Sequence, residues 1–390
     1  MRLAIVTTHP IQYYSPVFKL LHERNKIDIH VFYTWGEKSI EKHDPGFNRK
    51  IEWDVPVLEG FPYEWVKNES NDPGSHHFKG IINPGLIDQI NTWKPDAILI
   101  YGWGYHGHLK AIRYFKNKIP VFFRGDSTLL DEKKGLRSLL KSIFLKWLYR
   151  HVDHALYVGS NSKAYFKKYG LCENQLSFVP HAIDNSRFDV DIEDKALSLR
   201  KKLNISNNEL VIMFAGKFEE KKSPELLLDA FINLKKPGTH LLFVGNGPLE
   251  SRLKLKAEGF INIHFLDFQN QSQMPIIYRV CDIFCLPSKG PGESWGLAIN
   301  EAMVCGKAIL VSDKVGAAAD LIVPGKNGAI FEGGSLNDLI VNLEKLLDAG
   351  KYELQKMGEY SKIKIKDRDF ETQVKAIESI ITTNPVTQNK

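Results

Sequence analysis

The sequence predicts an α/β fold in two domains, each a parallel sheet layered with helices. Three observations carry this. The chain has 390 residues, long for one core and suited to two domains of about 150–200 residues each. Short apolar runs alternate with helical patterns of about 10–15 residues, as βαβ units do. The runs form two series, parted around residues 185–205 by IDNSRFDVDIEDKALSLRKKLNISNNE, a polar, charged stretch suited to a linker.

The first series is LAIVTT, IHVFYT, AILIYG, VFFRG and ALYVG. The second is VIMFAG, HLLFVG, IHFLD, IFCLPS and AILVSD. Unbroken apolar runs of this length predict strands covered on both faces, the habit of parallel sheets. Between strands, KKGLRSLLKSIFLKWLYRH places Leu136, Leu139, Leu140, Ile143, Phe144, Trp147 and Leu148 at helical spacing. The expectation is a domain helix with that stripe against the sheet. Its Lys133, Lys134, Arg137, Lys141, Lys146 and Arg150 are uninterrupted by any acid, so the basic face also suits lipid headgroups. After IFCLPS come a loop, KGPGES, and a helix, WGLAINEAMVCG, ending at Gly306. The tail ITTNPVTQNK reads as frayed and polar.

Composition is that of an ordinary globular protein, 43% hydrophobic and 25% charged. The net charge of +6 suits phosphorylated ligands or an anionic surface without demanding nucleic acid. The opening MRLAIVTTHP is too short for a signal-peptide core and reads as a strand. No run of about 18 apolar residues occurs. Cys172, Cys281, Cys285 and Cys305 lack paired zinc spacing and read as reduced, mostly buried thiols, which suits the cytoplasm.

The chemistry concentrates in the second half. Glu293 falls in the loop before a helix, and Glu301 about two turns along that helix. Free N–H groups at the helix start attract phosphate, and a carboxylate further on can accept hydrogen bonds from a diol. Lys217 and Lys222 follow the strand VIMFAG, after Gly216, where ligands of open α/β sheets bind. Two ammonium groups there can neutralise a diphosphate. Taken singly, each reads first as a solvated loop acid, helix acid or lysine, and only the set reverses that reading. VGNGPLE adds Gly245 and Gly247 after another strand, without the spacing of a dinucleotide fingerprint.

As a set, these residues resemble the family 4 retaining glycosyltransferases of the GT-B fold, also described as glycosyl transferases group 1. The resemblance covers roughly residues 150–345. Lys217 stands where an arginine is usual, and Trp295 takes the aromatic place of the two-glutamate motif. Ala317 and Asp320 replace the commoner glycine and glutamate downstream. The resemblance implies two Rossmann-like domains facing across a cleft. It places the acceptor domain at 1–187, completed by a C-terminal helix at about 366–390, and the nucleotide-sugar domain at 188–365. It implies that Lys217 and Lys222 bind the diphosphate, that Glu301 holds the ribose, and that Glu293 contacts the donor sugar. Gly216, Gly245, Gly296 and Leu297 join the donor site. No metal and no cofactor is expected, because the lysines do the electrostatic work.

The first half matches more loosely. THPIQYYSP, with His9, Gln12 and Tyr13, stands where a glycine-rich acceptor loop is usual; His9 reads equally as a capping or core histidine. VFFRGDS puts Arg124 and Asp126 where the family often has a histidine. Asp126 is taken as catalytic with Glu293 and Lys222; Arg124 is taken as an acceptor ligand, or as a structural ion pair. Trp103, His106 and His108 lie near another strand end, and Trp103 joins the acceptor set. The reading is a cytoplasmic retaining glycosyltransferase, acting on a glycan or lipid-linked acceptor in surface polysaccharide or glycolipid synthesis, with peripheral contact to an anionic membrane left open. The alternatives are a sugar-nucleotide epimerase on the same fold and an inactive scaffold that binds a sugar nucleotide.

Overall fold

The structure is a computed structural model that describes residues 1–39, 43–44, 49–50, 54–133 and 135–383. It divides into two compact units. Unit 1 comprises Met1–Lys42, Val55–His181 and Phe370–Lys390; unit 2 comprises His43–Asp54 and Ala182–Asp369.

The strands, in chain order, are β1 (Arg2–Thr7), β2 (Asp28–Tyr33), β3 (His43–Asp44), β4 (Arg49–Lys50), β5 (Tyr63–Trp65), β6 (Ala97–Tyr101), β7 (Val121–Arg124), β8 (His154–Tyr157) and β9 (Leu176–Phe178). They continue with β10 (Leu210–Ala215), β11 (Thr239–Val244), β12 (Ile263–Leu266), β13 (Ile283–Leu286), β14 (Ala308–Ser312) and β15 (Gly328–Phe331). β3 and β4 form a small antiparallel ladder. The others build two parallel sheets, in the order β5-β2-β1-β6-β7-β8-β9 in unit 1 and β12-β11-β10-β13-β14-β15 in unit 2. The expected α/β, GT-B architecture is therefore present.

Unit 1 shows why its strands read as continuous apolar runs. Side chains alternate between the faces of a strand, and helices cover both faces here. Ala4 and Val6 of β1 enter one core, with Phe123, Leu145 and Phe166. Leu3 and Ile5 enter the other, with Phe18, Leu99 and Tyr33. That second core also takes Val374, Ile377 and Ile381 from the helix Phe370–Thr383. The helix continues through Thr383, so the first three residues of the tail are helical; residues 384–390 lie outside the described part.

Each sheet is wound outward from its middle. Strand order reverses between β1 and β6 in unit 1 and between β10 and β13 in unit 2. Loops leaving adjacent strands at such a reversal run in opposite directions, and the crevice they leave beyond the strands' carboxyl ends receives ligands.

The helix Leu136–Tyr149 departs from expectation. Leu145, Leu148 and Tyr149 are its buried face, whereas Leu136, Leu139, Leu140 and Ile143 are exposed. The apolar residues occupy two faces, and only one has a sheet to pack on. Among the described residues, no helix is long and apolar enough to cross a membrane.

Candidate active site

In unit 2 the loops after β10 and β13 meet at the reversal point. Lys222 ends a short 3₁₀ turn, Glu220–Lys222, just before the helix Pro224–Leu234. Its Nζ lies 2.6 Å from Oε2 of Glu293, and both side chains are largely buried. The same Oε2 accepts a hydrogen bond from Ser288 at 3.0 Å. The Ser288 carbonyl in turn accepts from the Ser312 hydroxyl, which ties the Glu293 loop to the end of β14. A further tie is Gly316 N–H to the Glu293 carbonyl, 3.0 Å. Charge-assisted bonds in a partly buried site are strong and short, so the carboxylate is held before any ligand arrives. Lys217 lies on the same loop as Lys222, partly buried.

Gly245 shows why the turn after β11 needs glycine. Its φ is 133°, and a Cβ there would come within 2.1 Å of the Gly216 carbonyl oxygen. The two loops are pressed backbone to backbone: Gly216 N–H donates to the Val244 carbonyl and Phe218 N–H to the Asn246 carbonyl, each at 2.9 Å. Gly245 therefore sets the height of the Gly216–Lys217 loop.

The helix after Glu293 begins later than its sequence pattern suggests. Gly296 has φ 95°, a left-handed conformation that caps the helix Leu297–Val304 rather than joining it. Trp295 is 3% exposed and donates from its indole N–H to Asn300, 3.0 Å away. Glu301 is thus one turn into the helix rather than two. It is 3% exposed, and Tyr278 donates its hydroxyl hydrogen to Glu301 Oε2 at 2.8 Å. A buried carboxylate with one oxygen fixed by a tyrosine is far from the solvated helix acid that its spacing alone would suggest. Arg368 packs over Trp295 at 5.3 Å, and burial lowers its pKa against the opposing pull of Asp320. Tyr278, Ser288 and Arg368 were not foreseen from the sequence.

In unit 1 a cavity of about 190 Å³ opens at the other reversal point. Thr7 and Thr8 line it from the end of β1, Tyr101 and Gly102 from β6, and Arg124 and Asp126 from β7. Tyr14, Tyr105 and His181 complete much of its wall. Asp126 stands 3.7 Å from His181, its carboxylate half-exposed and the imidazole buried. Arg124 is 3% exposed and donates to the carbonyls of Val179 and Pro180, each at 3.0 Å, so it pins the segment leaving β9. The Arg124 Nε and the Tyr101 hydroxyl are buried without a hydrogen-bond partner. Burial, and then the charge of Asp126, push the Tyr14 phenol upward, so it stays a protonated donor.

The remaining expected acceptor residues lie off this wall. His9 bonds Thr8 at 2.9 Å and packs edge-on to Trp35. Gln12 and Tyr13 are partly buried beside it. Trp103 packs on Phe144 at the rim of the core. His108 is wholly buried, with Nδ1 on the carbonyls of Tyr101 and Gly102 and Nε2 2.8 Å from the Thr34 hydroxyl. Burial lowers its pKa to about 4, as befits a neutral structural histidine.

Residues 196–364 match the family described as glycosyl transferases group 1. The D-inositol 3-phosphate glycosyltransferase of Mycolicibacterium smegmatis is 29% identical over 186 residues, 43% of this chain and 42% of that protein. Its namesake from Mycobacterium sp. strain KMS is 31% identical over 189 residues, 44% and 42% of the two chains. The chain thus matches less than half the length of these relatives. Among solved structures, Anabaena HepE in complex with UDP superposes with a TM-score of 0.74, covering 98% of this chain and all of that one at 17% identity. Sucrose-phosphate synthase from Thermosynechococcus elongatus gives 0.73 at 14% identity, covering 98% of each. At such identities the likeness is one of fold, and the fold is that of the GT-B glycosyltransferases.

Proposed function

We propose that this protein is a retaining, metal-independent glycosyltransferase. It moves a sugar from a nucleoside-diphosphate sugar to a glycan or lipid-linked acceptor in the synthesis of a surface polysaccharide or glycolipid. The observation that carries the reading is the Lys222–Glu293 pair, 2.6 Å apart where the strand order of unit 2 reverses. It is supported by the family match over residues 196–364 and by UDP in a structure of the same fold.

In this reading unit 2 holds the donor. The ammonium groups of Lys217 and Lys222 take the charge that grows on the diphosphate as its bond to the anomeric carbon breaks. A diphosphate competes with Glu293 for Lys222, which frees the carboxylate to face the electron-poor sugar ring. Glu301, oriented by Tyr278, accepts hydrogen bonds from the ribose. The acceptor hydroxyl attacks the face that the diphosphate leaves. Its proton passes to the departing phosphate oxygen, so the new C–O bond keeps the donor's anomeric configuration. Unit 1 holds the acceptor, with Asp126, backed by His181, accepting a hydrogen bond from it. Trp103, His9, Gln12 and Tyr13 shape the approach. A nucleotide-sugar substrate and four free cysteines, Cys281, Cys285 and Cys305 buried and Cys172 exposed, suit the cytoplasm.

The reading is tested by incubating the protein with a panel of nucleoside-diphosphate sugars in EDTA. Released nucleotide is followed, and the product's anomeric configuration is assigned by NMR. UDP-sugars come first. Turnover in EDTA with an unchanged configuration is expected. An inverted product removes the retaining mechanism, and loss of activity restored only by a divalent cation removes metal independence.

A further inference from the structure

The helix Leu136–Tyr149 has an outer face that the donor and acceptor chemistry does not use. Leu145 and Leu148 are fully buried in the unit 1 core. Leu136, Leu140 and Ile143 recur at i, i+4 and i+7, on the side turned away from Leu145. Leu136 is 72% exposed, Leu139 57%, Leu140 59% and Ile143 60%. Single exposed leucines are ordinary, but four on two turns of one helix form a patch. Phe144 and Trp147 extend its edge, half-buried, with their rings 5.6 Å apart.

The charges around the patch have one sign. Arg137, Lys141, Lys146 and Arg150 are exposed along the helix, with Lys133 just before it. No acid occurs from residue 133 to residue 150. The nearest acid upstream, Glu132, is engaged by Lys168 and Tyr169. An apolar stripe flanked by cations is what an anionic interface recognises: acyl chains take the leucines and headgroup phosphates take the cations. A second copy of the same face is disfavoured, because a twofold contact would bring two positive rims together.

We propose that this face is a docking surface for an anionic lipid bilayer. The helix lies in the plane of the interface, with Leu136, Leu139, Leu140 and Ile143 dipped below the headgroups. The protein is held peripherally, with no membrane-crossing segment involved.

The test is sedimentation of the full chain with vesicles of phosphatidylcholine alone and of phosphatidylcholine mixed with phosphatidylglycerol. Binding to the mixed vesicles, weakened by salt, is expected. Leu140→Gln with Ile143→Gln should lower the partition coefficient about tenfold or more. Arg137→Gln and Lys141→Gln should each lower it about fivefold. These outward-facing changes should leave the melting temperature in place, which separates lost docking from lost folding. Three results would overturn the proposal: no preference for the anionic vesicles, unchanged binding in the double glutamine variant, or a dimer in solution that this variant dissolves while vesicle binding is absent.

Discussion

Glu293 is where the chemistry is most exposed to a single change. Glu293→Gln keeps its size and its bond from Ser288 but loses the charge that holds Lys222. Transfer should fall about 100-fold or more, with the melting curve nearly unmoved. Glu301→Gln should instead act through donor binding, raising KM by about tenfold for one charge-assisted bond to a diol. Gly245→Ala belongs to backbone geometry: a methyl group 2.1 Å from the Gly216 oxygen forces the two loops apart. A destabilisation of about 1–3 kcal/mol is expected in chemical denaturation, with loss of donor affinity. His108 predicts a pH effect. Its folded pKa, about 4, lies below the 6.5 of the unfolded chain, so the unfolded state binds the extra proton in between. Its stabilising contribution is complete above pH 6.5 and declines as pH falls toward 4, by about 2 kcal/mol at pH 5. Burial also lowers His154 and His264 to about 4, so they add to the fall in melting temperature from pH 7 to 4.5, and His108→Gln should make that fall shallower by its own share.

Among the elements, the helix Phe370–Thr383 is the one that unit 1 borrows from the far end of the chain. Val374, Ile377 and Ile381 are wholly buried in its core, and Arg24 grips Glu378 through two bonds of 2.8 and 3.0 Å. Burial of three aliphatic side chains is worth about 5–9 kcal/mol, comparable with the stability of a whole domain. A chain ending at Asp369 should lose the cooperative unfolding transition of unit 1 while that of unit 2 persists, as calorimetry would show. The ten strand-like runs of the sequence all became strands, because a parallel strand covered on both faces leaves an unbroken apolar signature. β5, β9 and β15 were not read, and each is an edge strand of three or four residues with mixed burial. The helix Leu136–Tyr149 was misread for another reason: spacing counts apolar residues on a face but does not say which face meets the sheet.

At the scale of the molecule, one winding pattern used twice explains why both candidate sites fall where they do. The lysine and glutamate positions of unit 2 were legible because they cluster in two short motifs beside strands. The wall of the unit 1 cavity was only half legible. Arg124 and Asp126 sit on a strand end, but Tyr14, the Tyr101–Tyr105 stretch and His181 come from three separate segments that only the topology gathers. The proposed metal-independent glycosyl transfer stands or falls on the two loops that meet at the unit 2 reversal point. The most direct measurement is nucleotide release from a panel of nucleoside-diphosphate sugars, in EDTA, by the full chain beside Glu293→Gln and Lys222→Ala. Release from one nucleotide family is expected, indifferent to EDTA and lost in both variants while they remain folded. Full turnover in either variant, or no sugar nucleotide bound or turned over by the unaltered chain, would contradict it.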